Sequence, residues 1–296
     1  MGSRVSRSEK AGFRELTESD QQKAKMGNLT ARVLTSAVLV PILLLVVFWE
    51  REEGWWVLVF LAGALGGWEL SVMTLGREKL YDNIAAVVLS LIVGAGVYWW
   101  AGFHADRTVL LITGAVAFIL LYCLFTTTDV KAAGARVSGL FVTVFYAGLL
   151  FPFVALLRCL PNGSWWVVLA LAATWMGDTG AYFMGRFLGK HKLFPLVSPK
   201  KTWEGALGGV LATITAALVA HFWFLEEIGI LQALLLGLLA SVLGQSGDLC
   251  ESLLKRSYGI KDSGNILPGH GGIMDRVDAL VFVAPLVYVF ASFVVY

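Results

Sequence analysis

Charge is scarce in this sequence. Of its 296 residues only 15% are Asp, Glu, Lys or Arg, where a soluble domain carries about 25%. Cysteine is nearly absent too, and Cys123, Cys159 and Cys250 stand far apart in apolar surroundings. That excludes a disulfide framework or a zinc site and leaves three small core hydrophobes. No internal repeat or low-complexity tract is visible. What fills the chain is apolar: 57% hydrophobic residues, with 32 glycines besides. A water-soluble domain would need far more polar surface, and disorder needs low hydrophobicity. The class is an all-α polytopic membrane protein.

A bilayer core of about 30 Å needs roughly 20 apolar residues per helix. Segments of that kind fall near 33–49, 55–73, 84–103, 108–125, 137–157, 165–187, 205–225, 228–247 and 279–296, which predicts about nine transmembrane helices. The arrangement divides into a polar N-terminal tail (1–30), a region of about five spans (31–160) and a region of about four (161–296). Nothing in the polar start of the chain reads as a signal peptide. With nine spans, 20 of the 23 Lys and Arg residues fall on the side of the N-terminus, and only Arg51, Arg107 and Arg158 on the other. The positive-inside rule then predicts a cytoplasmic N-terminus and a C-terminus on the far side. Tryptophan pairs at Trp55-Trp56, Trp99-Trp100 and Trp165-Trp166 fall at the outer ends, where amphipathic rings favour the interface.

Ionisable groups inside spans are costly, so they point to function by default. Here Glu69 and Asp178 lie within spans, and Asp248, Glu251, Asp275 and Asp278 lie just beyond span ends. The predicted orientation puts all six towards the cytoplasmic side, as an active site facing cytosol and inner leaflet requires. An ion pathway would spread such groups through the midplane. For Glu69 alone the plainer reading, a charge tolerated near a helix end, outweighs the functional one. Asp248 and Glu251 are spaced i, i+3, as are Asp275 and Asp278, so each pair shares a helix face, and Lys255 extends the first face. Carboxylates beside lysines suit Mg²⁺ and phosphate substrates.

Two loops on the same side complement them. Arg186–Glu204 brings Lys190, Lys192, Lys200 and Lys201, with Ser198, Lys200, Lys201 and Thr202 leading into a glycine-rich helix start, a natural anion site. Ser252–Asp278 reads SLLKRSYGIKDSGNILPGHGGIMDRVD, and its glycines permit close backbone approach to a ligand.

At these residues the chain resembles the phosphatidate cytidylyltransferase family, the CDP-diacylglycerol synthases. Ser252, Lys255-Arg256, Lys261-Asp262, Gly264, Pro268 to Gly272, Asp275-Arg276 and Asp278 match its defining pattern without a gap. Gly177 to Tyr182, Ser198 to Gly205 and Gly247 to Ser252 add upstream elements, while the first four spans match only in hydropathy and order. The resemblance implies a nucleotidyltransferase that joins CTP and phosphatidate into CDP-diacylglycerol and pyrophosphate for phospholipid biosynthesis. It implies Mg²⁺ on Asp248 and Asp275, and leaves open a second, monovalent cation.

The residues make chemical sense of this. The lipid phosphate is itself the nucleophile, so catalysis needs in-line positioning and relief of repulsion between two polyanions. The expected catalytic groups are Asp248, Asp275, Lys255, Arg256, Lys261, Asp278, Glu251 and Asp178. The expected substrate contacts are Ser198, Lys200, Lys201, Thr202, Ser252, Gly269, His270, Gly271, Gly272 and Arg276. The expected partners are CTP, phosphatidate in the inner leaflet and the bilayer, with no nucleic acid; a homodimer is compatible. The expected location is the plasma (inner) membrane, with the site facing the cytoplasm. Two rival readings are a cytidylyltransferase acting on another lipid phosphate and a membrane transporter.

Overall fold

The computed structural model describes residues 37–100, 104–266 and 271–295. Gly269 and His270, expected at the substrate, lie outside these residues.

The described chain is a helical bundle. Its helices are α1 (Ala37–Val47), α2 (Glu53–Leu75), α3 (Leu80–Trp100), α4 (Ala105–Thr126) and α5 (Val130–Phe145). A π turn at Tyr146–Leu150 continues α5 into α6 (Phe151–Leu156), and α7 (Gly163–Leu188) follows. A hairpin of β1 (Lys192–Phe194) and β2 (Ser198–Thr202) leads to α8 (Trp203–Trp223) and α9 (Ile230–Ser257). The short α10 (Met274–Val277) precedes α11 (Leu280–Phe290).

Seven helical runs are long and apolar enough to cross a membrane, and they correspond to the second to eighth expected spans. Among the described residues the first and ninth have shorter counterparts, Ala37–Val47 and Leu280–Val295. The latter contains Pro285, which cannot donate to the helix ladder, and it ends in a π turn.

Two local expectations need correction. The eighth span does not end at Gly247, nor is Ser252–Arg256 a loop, because α9 continues as helix to Ser257. Its 28 residues reach about 42 Å at 1.5 Å each, beyond a hydrocarbon core of about 30 Å. The added turns are stabilised by Lys255 bonding Glu251 one turn back and by basic residues at the helix C-terminus. The segment before α8 is an antiparallel hairpin, pairing Lys192 with Thr202 and Phe194 with Ser198. The Thr202 hydroxyl caps α8 by accepting the Gly205 N–H at 3.1 Å.

Close backbone approach positions the second half of the chain. A Cβ at Gly180 would strike the Gly208 carbonyl across the α7–α8 contact, and one at Gly247 would strike the Asp278 carbonyl between α9 and α11. Small residues at such crossings replace the hydrophobic drive that lipid does not supply. The largest buried cluster draws on both halves, with Trp55, Val59 and Val154 packed among Trp166, Leu236 and Val283.

Polar fasteners close the two ends of the bundle. At one, Arg158 donates to the carbonyls of Val47 (3.0 Å) and Trp49 (2.9 Å), satisfying the C-terminus of α1. At the other, the Arg136 guanidinium grips both oxygens of Asp82 at 2.7 and 2.6 Å, and the Tyr122 hydroxyl donates to the same carboxylate at 2.8 Å.

Candidate active site

Four sequence-distant segments meet at the end of the bundle where α9 overshoots: α2, the hairpin, the end of α9, and the chain leading into α10. The first contact is made by Glu69 of α2, which is buried. Its carboxylate accepts the Ser263 hydroxyl at 3.0 Å and the N–H groups of Ile273 and Met274 at 3.1 and 3.0 Å. A residue that reads from sequence as a helix-end charge is therefore attached to the motif segment.

Asp275, at the start of α10, lies beside it. Its Oδ2 accepts the N–H groups of Ser263 and Gly272, both at 2.9 Å, and its Oδ1 accepts Lys255 Nζ at 2.7 Å. Burial alone would raise the Asp275 carboxyl, but the Lys255 ammonium and the two N–H donors outweigh it and hold the group below the usual carboxylate range. Lys255 also donates to Glu251 Oε2 at 2.6 Å, so one ammonium serves two carboxylates. Among the described residues the second oxygen of Glu251 is buried without a hydrogen-bond partner.

The third group surrounds Asp248. Lys201, at the end of β2, lies 2.6 Å from one carboxylate oxygen, and the Ser252 hydroxyl donates to the other at 3.3 Å. Asp178 on α7 lines the same cavity as Asp248 and Lys201. Asp278, at the break between α10 and α11, is surrounded by acids. Burial, with the charges of Asp248 and Glu251, pushes its carboxyl up to about 8. Asp178, Tyr182, Arg186, Lys200, Lys201 and Asp248 line a cavity of about 420 Å³ between α7, α8, α9 and the hairpin. Aromatic and charged side chains there meet a space large enough for a phosphorylated headgroup.

A profile of the Cytidylyltransferase family matches residues 30–294. The chain belongs to this family. Among curated relatives, the phosphatidate cytidylyltransferase of Bacillus subtilis is 33% identical over 271 residues, 89% of this chain and 97% of the relative. That of Brucella melitensis is 36% identical over 270 residues, 90% of this chain and 94% of the relative. That of Staphylococcus haemolyticus is 36% identical over 208 residues, 70% and 76% of the two chains.

In this cytidylyltransferase the expected site residues divide by environment. Asp178, Lys200, Lys201, Thr202 and Asp248 line the cavity. Glu251, Lys255, Asp275 and Gly272 form the bonded cluster behind it. Ser198 opens β2, and Gly271 takes a positive φ of 84° that suits glycine. Arg256 instead fastens the loops together, donating to the carbonyls of Val197 (3.4 Å) and Ile260 (3.0 Å). Lys261 and Arg276 are exposed.

Among the described residues no three Asp, Glu, His or Cys side chains form a ready-made metal cage. The donor set still fits Mg²⁺, which takes one or two carboxylates and completes its shell with water and phosphate oxygens. Among the described residues the carboxylates outnumber the lysines between them, and one buried oxygen of Glu251 has no partner.

The sequence marks Tyr182 only as part of a family element and Arg186 only as a loop end, and it gives no sign of Gln245 in the cavity wall or of Tyr146. Among the described residues the Tyr146 hydroxyl is buried without a hydrogen-bond partner. It stands on the π turn after α5, a feature frequent at functional sites that leaves no mark in the sequence.

Proposed function

We propose that this cytidylyltransferase transfers the cytidylyl group of CTP to phosphatidate at the α7–α9 cavity, releasing pyrophosphate. The observation that carries the reading is the family match over residues 30–294, which spans every segment contributing to the site. A lipid phosphate oxygen forms the new bond to the α-phosphorus of CTP, and the bond from that phosphorus to the β-phosphate bridge breaks. No side chain needs to act as nucleophile. The protein's task is to hold two polyanions in line and lower their repulsion.

Lys200, Lys201 and Arg186 line the cavity and supply positive charge to the phosphates. Asp248 and Asp275 would hold Mg²⁺, which when bound neutralises phosphate charge and stabilises the departing pyrophosphate. Lys255 keeps Asp275 ionised and fixed, and the Asp275 carboxylate in turn fixes Ser263 and Gly272.

The excess of Lys and Arg on one set of loops supports a site facing the cytoplasm, at the inner leaflet of the plasma membrane. There the acyl chains stay in lipid while the headgroup meets cytosolic CTP. Exposed Leu110, Leu121, Leu124 and Phe125 of α4 offer an apolar face to lipid, or to a second copy in a homodimer.

The experiment is product identification. The purified, reconstituted chain is given CTP, Mg²⁺ and either phosphatidate or an ether-linked lipid phosphate, and the lipids are analysed by mass spectrometry. CDP-diacylglycerol with one pyrophosphate per lipid is expected. Turnover with the ether lipid alone would move the acceptor assignment, and no turnover with either would end the reading.

A further inference from the structure

We infer that Glu69 is a positioning residue for cytidylyl transfer: it holds the segments flanking the glycine-rich loop in the conformation that orients Asp275. The inference rests on the role proposed for Asp275.

Glu69 is 4% exposed and accepts three hydrogen bonds, all from the 263–274 region. Ser263 and the segment around Gly272 are shared between two carboxylates. The Ser263 hydroxyl donates to Glu69 while its backbone N–H donates to Asp275. Gly272 N–H donates to Asp275, and the next two N–H groups in the chain donate to Glu69. Moving Glu69 therefore moves two of the three donors that fix Asp275.

The glycines show how close this contact is. A Cβ on Gly264 or on Gly272 would collide with the Glu69 carboxylate. Both positions accept α2 against the loop because neither carries a side chain.

A merely structural tie between α2 and the loop would not need a charge. Among the described residues Glu69 forms no ion pair, so its burial is offset by neutral donors alone, an expensive arrangement. What the carboxylate provides is capacity. It gathers three donors on two oxygens through charge-assisted bonds, about twice as strong as neutral ones. A glutamine offers one acceptor oxygen, and its amide would turn N–H against N–H.

The test compares Glu69→Gln, Glu69→Asp, Ser263→Ala and Asp275→Asn in the full chain, reconstituted in phosphatidylcholine vesicles containing phosphatidate. The readouts are kcat, KM for CTP and for phosphatidate, and the melting temperature in detergent. Glu69→Gln is expected to lower kcat about 10–100-fold with both KM values near the parent's, and Glu69→Asp to recover part of the loss. Ser263→Ala removes one of the three bonds and is expected to lower kcat in the same direction. It becomes the deciding variant if Glu69→Gln does not fold. Parental kcat in folded Glu69→Gln overturns the inference, as does parental kcat in Ser263→Ala where Glu69→Gln fails to fold. An inactive Asp275→Asn beside a fully active Glu69→Gln refutes the positioning role only. A fully active Asp275→Asn refutes the reading of Asp275 on which it rests.

Discussion

The ammonium of Lys201 lies 2.6 Å from the Asp248 carboxylate, joining the end of the β-hairpin to the overshooting end of α9. Lys201 lines the cavity beside Lys200, so its charge is available to both an acid and an incoming phosphate. Lys201→Ala should raise KM for substrate roughly 10–100-fold, the equivalent of one hydrogen bond to a charged group, and lower kcat less. Steady-state kinetics with each substrate varied in turn checks this; unchanged KM values would remove Lys201 from phosphate binding.

Among the described residues Lys255 is the sole ammonium between Glu251 and Asp275, and all three are largely buried. Lys255→Met leaves two carboxylates facing each other and should cost about 3–5 kcal/mol of stability. Adding Glu251→Gln should recover part of it. Thermal unfolding in detergent reports both, and a Lys255→Met chain as stable as the parent would show that the cluster is solvated.

The Asp82–Arg136 pair tests whether stability and turnover can be separated. It ties α3 to α5, with Tyr122 of α4 on the same carboxylate, and touches none of the proposed site residues. Because Arg136 keeps 18% of its side-chain exposure, Arg136→Ala should cost less than a fully buried pair, about 2–3 kcal/mol. At temperatures where the protein stays folded, kcat should match the parent's. A large loss of kcat without a change in melting temperature would contradict the structural role.

Asp278 gives a pH signature. Its folded carboxyl is raised to about 8, above an unfolded value of about 3.9. The folded state then binds the extra proton, so stability falls as pH rises between those values. In metal-free protein, Asp278→Asn should raise the melting temperature at pH 8 and leave it nearly unchanged at pH 4. An equal shift at both pH values would mean that the carboxyl is not held protonated.

The long helices were legible because each offers a window of about 20 apolar residues, and the family motif points to Asp248, Lys255 and Asp275 from the sequence alone. Where α9 ends was not legible. The i, i+3 spacing puts Asp248 and Glu251 on one helix face with Lys255, but the apolar window stops at 247. The bonds these side chains make with each other and with Asp275 across the site leave no hydropathy signal. The hairpin was invisible because Lys192–Phe194 and Ser198–Thr202 are too short to show alternation. Glu69 looked ordinary because its partners, Ser263, Ile273 and Met274, are distant in sequence. A charge near a helix end looks the same whether it meets water or gathers a remote loop.

If the proposed roles of the Asp248 and Asp275 carboxylates hold, they show in Mg²⁺-dependent pyrophosphate release from CTP by reconstituted protein supplied with phosphatidate, with the parent compared with Asp248→Asn and Asp275→Asn at matched folded content. Robust release by the parent, lost on chelation, and a fall of at least about 100-fold in each folded variant are expected. Near-parental release by either folded variant would contradict those roles.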